Sequence, residues 1–240
     1  MTPHVNPRVR AGSTITALVV AGGLMLTACG AEARVAASDG TPAAHSDDHG
    51  ASSTAKKDRI SPAALDAEMR KLWTDHVTWT RLYIVGAVAG QPDAQPTLDR
   101  LMQNQVDIGN AVAEFYGRPA GDQLTTLLKA HIATAGELVG AAKAGDQAKT
   151  ASAKTRWYAN ADQIADFLAK ANPKQWTAVA LRGAMKTHLD QTLDEATHRI
   201  QGNYAADIAD YDRIVNHILS MADILSSGIV AQFPAKFNGK

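Results

Sequence analysis

The chain has 240 residues, and its 24 basic side chains balance its 24 acidic ones, with eight histidines beside them. A neutral total without a basic block excludes nucleic-acid binding by a charged surface. A single cysteine excludes an intramolecular disulfide, and with it the small stapled scaffolds of secreted proteins.

Residues 1–28 have the pattern of a secretion signal: Arg8 and Arg10 near the start, an apolar stretch from Ile15 to Met25, then Leu26-Thr27-Ala28-Cys29. The apolar run is shorter than the roughly 20 residues of a comfortable membrane span. Its last four residues resemble the lipobox of bacterial lipoproteins. That resemblance implies cleavage before Cys29, acylation of its thiol with palmitate-type chains, and a membrane-anchored protein on the extracytoplasmic face. Loss of Arg8 and Arg10 would leave the mature chain slightly acidic.

Residues 29–60 are rich in Ala, Ser, Asp, Gly and Thr and have no apolar periodicity, the composition of a flexible tether. His45 and His49 flank Ser46-Asp47-Asp48, a loose metal-binding chemistry that a polar linker also presents by composition alone.

Residues 61–240 form the expected folded domain, long enough for one core. Ser61-Pro62 is a helix start, and the first helix runs to about Ala89 before Gly90-Gln91-Pro92-Asp93. Five more helices follow: about Pro96 to Tyr116, Gly121 to Ala144, Asp146 as cap to Ala171, Lys174 to Gln201, and Tyr204 to Gln232. Nothing alternates with strand period, so the expected class is all-α. Short connections predict a six-helix antiparallel up-and-down bundle built from three helical hairpins.

Each expected hairpin carries a histidine in the apolar stripe of its first helix. Leu65, Met69 and Leu72 lead to His76, then Thr80, Tyr83 and Ala87; Leu124 and Leu127 lead to His131, and Leu181 and Met185 to His188. The intervals between these histidines are 55 and 57 residues, near enough to constant to suggest a repeated unit. Folding the hairpins about their turns puts Asp107 opposite His76, Asp162 opposite His131 and His217 opposite His188. Both aspartates lie at the margin of their helix stripes, where they can equally be solvated.

Three readings of these groups compete. An imidazole bonded across its hairpin would fix register. His with Asp on facing helices would suit a divalent transition metal such as zinc, iron or copper. A third arrangement is a pocket walled by Trp73, Trp79, Tyr83, Trp157 and Tyr158, with the His and Asp groups as polar anchors. Glu195-Ala196-Thr197-His198 has the Glu-x-x-His spacing of di-iron bundles, but those sites need the motif twice with two further glutamates. The polar runs Asn104 to Asn110 and Tyr158 to Asp162 are poor helix formers and point to an inter-helix hydrogen-bond network or a site.

Leu72-Trp73 with Asp75-His76 and Trp79-Thr80-Arg81, Asn104-Gln105 with Asp107-Ile108-Gly109-Asn110, Trp157-Tyr158 with Asn160-Ala161-Asp162, and Gln232-Phe233-Pro234 span the domain. On these pieces it resembles an uncharacterised group of secreted Gram-positive and actinobacterial all-helical proteins, and the resemblance implies no activity. No Gly-rich phosphate loop or parallel-sheet pattern supports a kinase or glycosyltransferase. The sequence therefore points to an anchored bundle that binds a ligand, metal or protein partner. The alternatives are a metal-dependent cell-envelope enzyme using His76, His131 and His188, and a purely structural bundle.

Overall fold

A computed structural model describes residues 60–237. The expected signal segment 1–28, the lipidation site Cys29 and the linker histidines His45 and His49 lie outside the described residues. Those described form six α-helices: α1 (Pro62–Ala89), α2 (Ala94–Tyr116), α3 (Arg118–Lys143), α4 (Gln147–Ala171), α5 (Ala178–Ile200) and α6 (Tyr204–Gln232), followed by a 3-10 turn at Pro234–Lys236. The all-α class expected from the hydrophobic period holds.

Helix ends follow local chemistry. Ser61 accepts a hydrogen bond from the Ala64 amide, and Pro62 occupies the first turn, where its missing N–H costs nothing. Helix α3 begins at Arg118 rather than near Gly121, because Pro119 in its first turn starts a helix instead of blocking one. Helix α5 starts later than expected, at Ala178, since Thr177 caps it through the Ala180 amide. The preceding Trp176 then falls outside the helix; its buried indole donates to the Ile224 carbonyl at 3.1 Å.

The connections after α1, α3 and α5 share one geometry. Gly90, Gly145 and Gly202 take φ values of 70°, 71° and 74°, the left-handed region that suits glycine. In each, the glycine amide bonds back three residues (to Ala87, Ala142 and Arg199), and the next amide bonds back five (to Gly86, Ala141 and His198). This Schellman arrangement satisfies carbonyls that the helix end would leave open.

Consecutive helices pack on one another and α6 packs on α1, while α1, α3 and α5 also touch among themselves. Helices α2 and α3 approach so closely that a Cβ on Gly109 would meet the Gly121 carbonyl at 2.7 Å. Helix α6 is long and apolar enough by composition to cross a bilayer, and 44% of its most apolar window is buried inside this fold. The main core includes Leu65, Met69, Ile108, Leu128, Ile164, Leu189 and Ile218. A separate small cluster of Ile84, Val139 and Ala196 draws one residue from each of α1, α3 and α5.

Candidate functional site

His76 on α1, His131 on α3 and His188 on α5 meet in the interior. The ring centroids of His76 and His188 are 5.7 Å apart, and those of His131 and His188 are 6.5 Å apart. All three side chains are buried. The helical stripes account for this: each histidine occupies a position where its neighbours one turn away are core residues.

The cross-helix partners are amides and a histidine. Gln105 Nε2 donates to His76 Nδ1 at 3.3 Å, and His131 Nδ1 donates to Asn160 Oδ1 at 2.9 Å. His131 Nε2 in turn accepts from the Trp157 indole N–H at 3.1 Å, which assigns the ring proton to Nδ1. The carbonyl one turn before each histidine also receives a bond: Leu72 O from Asn104, Leu127 O from Asn160, and Ala184 O from His217 Nε2 at 2.9 Å. One device therefore recurs three times, with Asn160 alone serving both ring and carbonyl where Asn104 and Gln105 divide the task.

The aspartates expected opposite His76 and His131 are elsewhere. Asp107 pairs with Arg100 at 3.5 Å and accepts from Gln103, while Asp162 is exposed. The reason is the turn geometry. The chain reverses between each left-handed glycine and the residue after it, one residue earlier than the expectation for the first two turns, and shifting a reversal by one moves the opposite partner by two. His217 lies opposite His188 because its expected turn was already centred between Gly202 and Asn203.

Burial is the main influence on the imidazoles. It lowers His76 to about 3, with nearby His131 adding to the effect, and lowers His131 to about 4 against the hydrogen bond to Asn160. His188 falls well below 6.5 through burial and then through His76, His131 and His217. All three are neutral at pH 7. Neutral imidazole suits a metal, but both nitrogens of His131 are engaged, and among the described residues no group of three or more His, Cys, Asp or Glu is placed to hold an ion. Trp73 Nε1, Gln105 Oε1 and His188 Nδ1 are buried without a hydrogen-bond partner among the described residues, and all belong to residues around His76.

A pocket lies on the side of this layer that leads to the left-handed turns, between α1, α3 and α5. Its cavity volume is about 40 Å³, within about 520 Å³ of non-atom space that is partly open to solvent. Thr80, Ala135 and Thr192, each one turn beyond a layer histidine, line its inner end, and Ile84, Val139 and Ala196 line it further out. Of the aromatic walls expected, Tyr83 and Trp157 line this pocket. Trp73 instead stands edge-on to His76, Trp79 lies beneath the Arg100 guanidinium, and the Tyr158 hydroxyl donates to Asp190 at 2.6 Å. Helical periodicity set their faces, but residue type alone had suggested a common wall.

A second buried polar layer went unrecognised in the sequence. Arg81 on α1 bonds Glu195 on α5 at 2.6 Å and Asp207 on α6 at 2.8 Å, with its guanidinium 4.8 Å from the Tyr211 ring centroid. Arg199 adds a bond to Asp207 at 3.3 Å, while His198 at 2.6 Å and Arg213 hold Asp210. Burial raises the Glu195 carboxyl to about 7 despite the opposing Arg81. Glu195 and His198 of the Glu-x-x-His spacing therefore serve different partners. The available signal was that Glu195 continues the Leu181 to Thr192 stripe, and Asp207 continues the stripe of Ile214 and Ile218.

No family model, curated protein or solved structure matches the chain.

Proposed function

We propose that this is a lipid-anchored extracytoplasmic lipoprotein whose six helices form an antiparallel up-and-down bundle of three hairpins, and that the bundle binds a small ligand in the pocket beside the histidine layer. The hairpin arrangement is supported by the three matching glycine turns and by the thrice-repeated bond to the carbonyl one turn before a histidine. The observation that carries the ligand reading is the interior pocket on α1, α3 and α5, walled by Trp157, which also bonds a layer histidine. Anchoring is supported by the Leu26 to Cys29 sequence.

Titration with N-phenyl-1-naphthylamine, whose emission rises in apolar surroundings, tests the pocket. Saturable binding that Ala196→Phe abolishes is expected; absence of saturable binding removes the ligand reading. For the anchor, Cys29→Ala should move the protein from the membrane fraction to the soluble one or leave it unprocessed. Lipid labelling that persists in that variant would sink the lipoprotein assignment. One chain anchors only marginally, so stable retention requires more than a single acyl group.

A further inference from the structure

We infer that the pocket accepts an uncharged, hydrocarbon-rich chain bearing at most one hydrogen-bonding group, and rejects charged ligands. This rests on the reading of the pocket as a ligand site. Among the described residues, its lining contains no charged side chain. Two of its threonines are already committed: Thr80 Oγ1 donates to the His76 carbonyl at 2.7 Å and Thr192 Oγ1 to the His188 carbonyl at 2.9 Å. Each hydroxyl proton is thereby committed to the backbone of the histidine layer and cannot be donated to an anionic ligand.

The layer behind them has no charge to offer. His76, His131 and His188 are buried and neutral, and the indole and the Asn160 amide already occupy both nitrogens of His131. Arg81 and Asp207 bond one another outside the pocket lining. A carboxylate or ammonium entering this space would leave water without gaining an opposite charge or a set of hydrogen bonds, which is strongly unfavourable.

One lining group stands apart. The Tyr83 hydroxyl lies over Gly136, where a Cβ would come within 3.1 Å of it, and its ionisation is raised by burial alone, with no hydrogen bond contributing. It is placed to meet a single ligand hydroxyl or carbonyl. Shape adds a second restriction. The α5 wall runs from Thr192 to Ile200, about 12 Å along a helix and roughly the reach of an extended chain of eight to ten carbons. The mouth is marked by exposed Thr197.

Isothermal titration of the folded protein with 1-octanol, octanoate and octylammonium at pH 8 separates the outcomes. Saturable binding of 1-octanol at least tenfold tighter than either ion, weakened severalfold by Tyr83→Phe and abolished by Ala135→Leu, is the expected result. Should octanoate or octylammonium bind as well as the alcohol, the ligand class is wrong while the pocket reading survives. Failure of all three to bind overturns the pocket reading and the inference together. Undiminished 1-octanol binding by a folded Ala135→Leu protein places the alcohol elsewhere and overturns the inference.

Discussion

Two polar layers cross the interior of this protein, and they solve the problem of buried polarity in opposite ways. Around His76, His131 and His188 the groups stay neutral and bond amides, an indole and backbone carbonyls. Around Arg81 the layer is built from guanidinium and carboxyl groups that bond one another, with Asp207 held between Arg81 and Arg199. A neutral imidazole avoids the cost of desolvating an ion and needs only hydrogen-bond partners. A buried carboxylate next to a guanidinium has lost its water and depends on that partner. The first layer should therefore be vulnerable to protons, and the second to loss of a single cation.

Removing the cation is the severest way to test the difference. Arg81→Met leaves Glu195 and Asp207 without their shared guanidinium and should destabilise the fold by about 3–5 kcal/mol, measured by urea unfolding. A loss under about 1 kcal/mol would mean that the pair is solvated after all and that the two layers do not differ in kind.

Acid addresses the histidine layer. His76 and His131 lie at about 3 and 4 in the fold and His188 well below 6.5, so the unfolded chain takes up these protons first and stability is lost as pH falls below about 6.5. Glu195 has the opposite sign. Its carboxyl, raised from 4.5 to about 7, gains stability as pH falls through that interval. Between about pH 6 and 4.5 the three lowered imidazoles outweigh the one raised carboxyl, and the net stability should fall as the pH falls. His188→Leu removes one of these sites and should make the dependence on pH shallower. An unfolding free energy that is flat across this interval would contradict neutral burial.

Smaller changes ask whether the amides are the true partners. Asn160→Ala deprives His131 Nδ1 of its acceptor and should cost about 1–3 kcal/mol by the same unfolding assay. Asn160→Asp puts a carboxylate against the ring and should raise the His131 pKa, observable in the histidine proton shifts; an unchanged titration would separate the two side chains. At the bottom of the scale, Asp162→Asn should alter stability by no more than about 0.5 kcal/mol, because this aspartate is exposed. A larger loss would restore Asp162 as the partner of His131.

Much of this was legible locally. Ser61-Pro62, Gly90, Gly145-Asp146 and Gly202-Asn203 mark helix ends through capping and left-handed backbone, which need no distant residue. The inward direction of the three histidines follows from their place in apolar stripes. Their partners did not, because a one-residue uncertainty in a turn exchanges Gln105 for Asp107 and Asn160 for Asp162. The charged layer was harder still: Arg81 lies 114 residues from Glu195 and 126 from Asp207, and nothing in their local spacing links them.

By itself the sequence determined six helices, the Ser61 and Asp146 caps, the glycine stops and the faces of the three histidines, because periodicity and end chemistry act over a few residues. Tertiary structure alone decided that three histidines share one layer, that Tyr83 and Trp157 face a common pocket while Trp79 and Tyr158 do not, and that Arg81 joins two carboxylates. These outcomes depend on how helices sit against one another, where a shift of one residue, or about 1.5 Å, changes which polar atoms come within hydrogen-bonding distance.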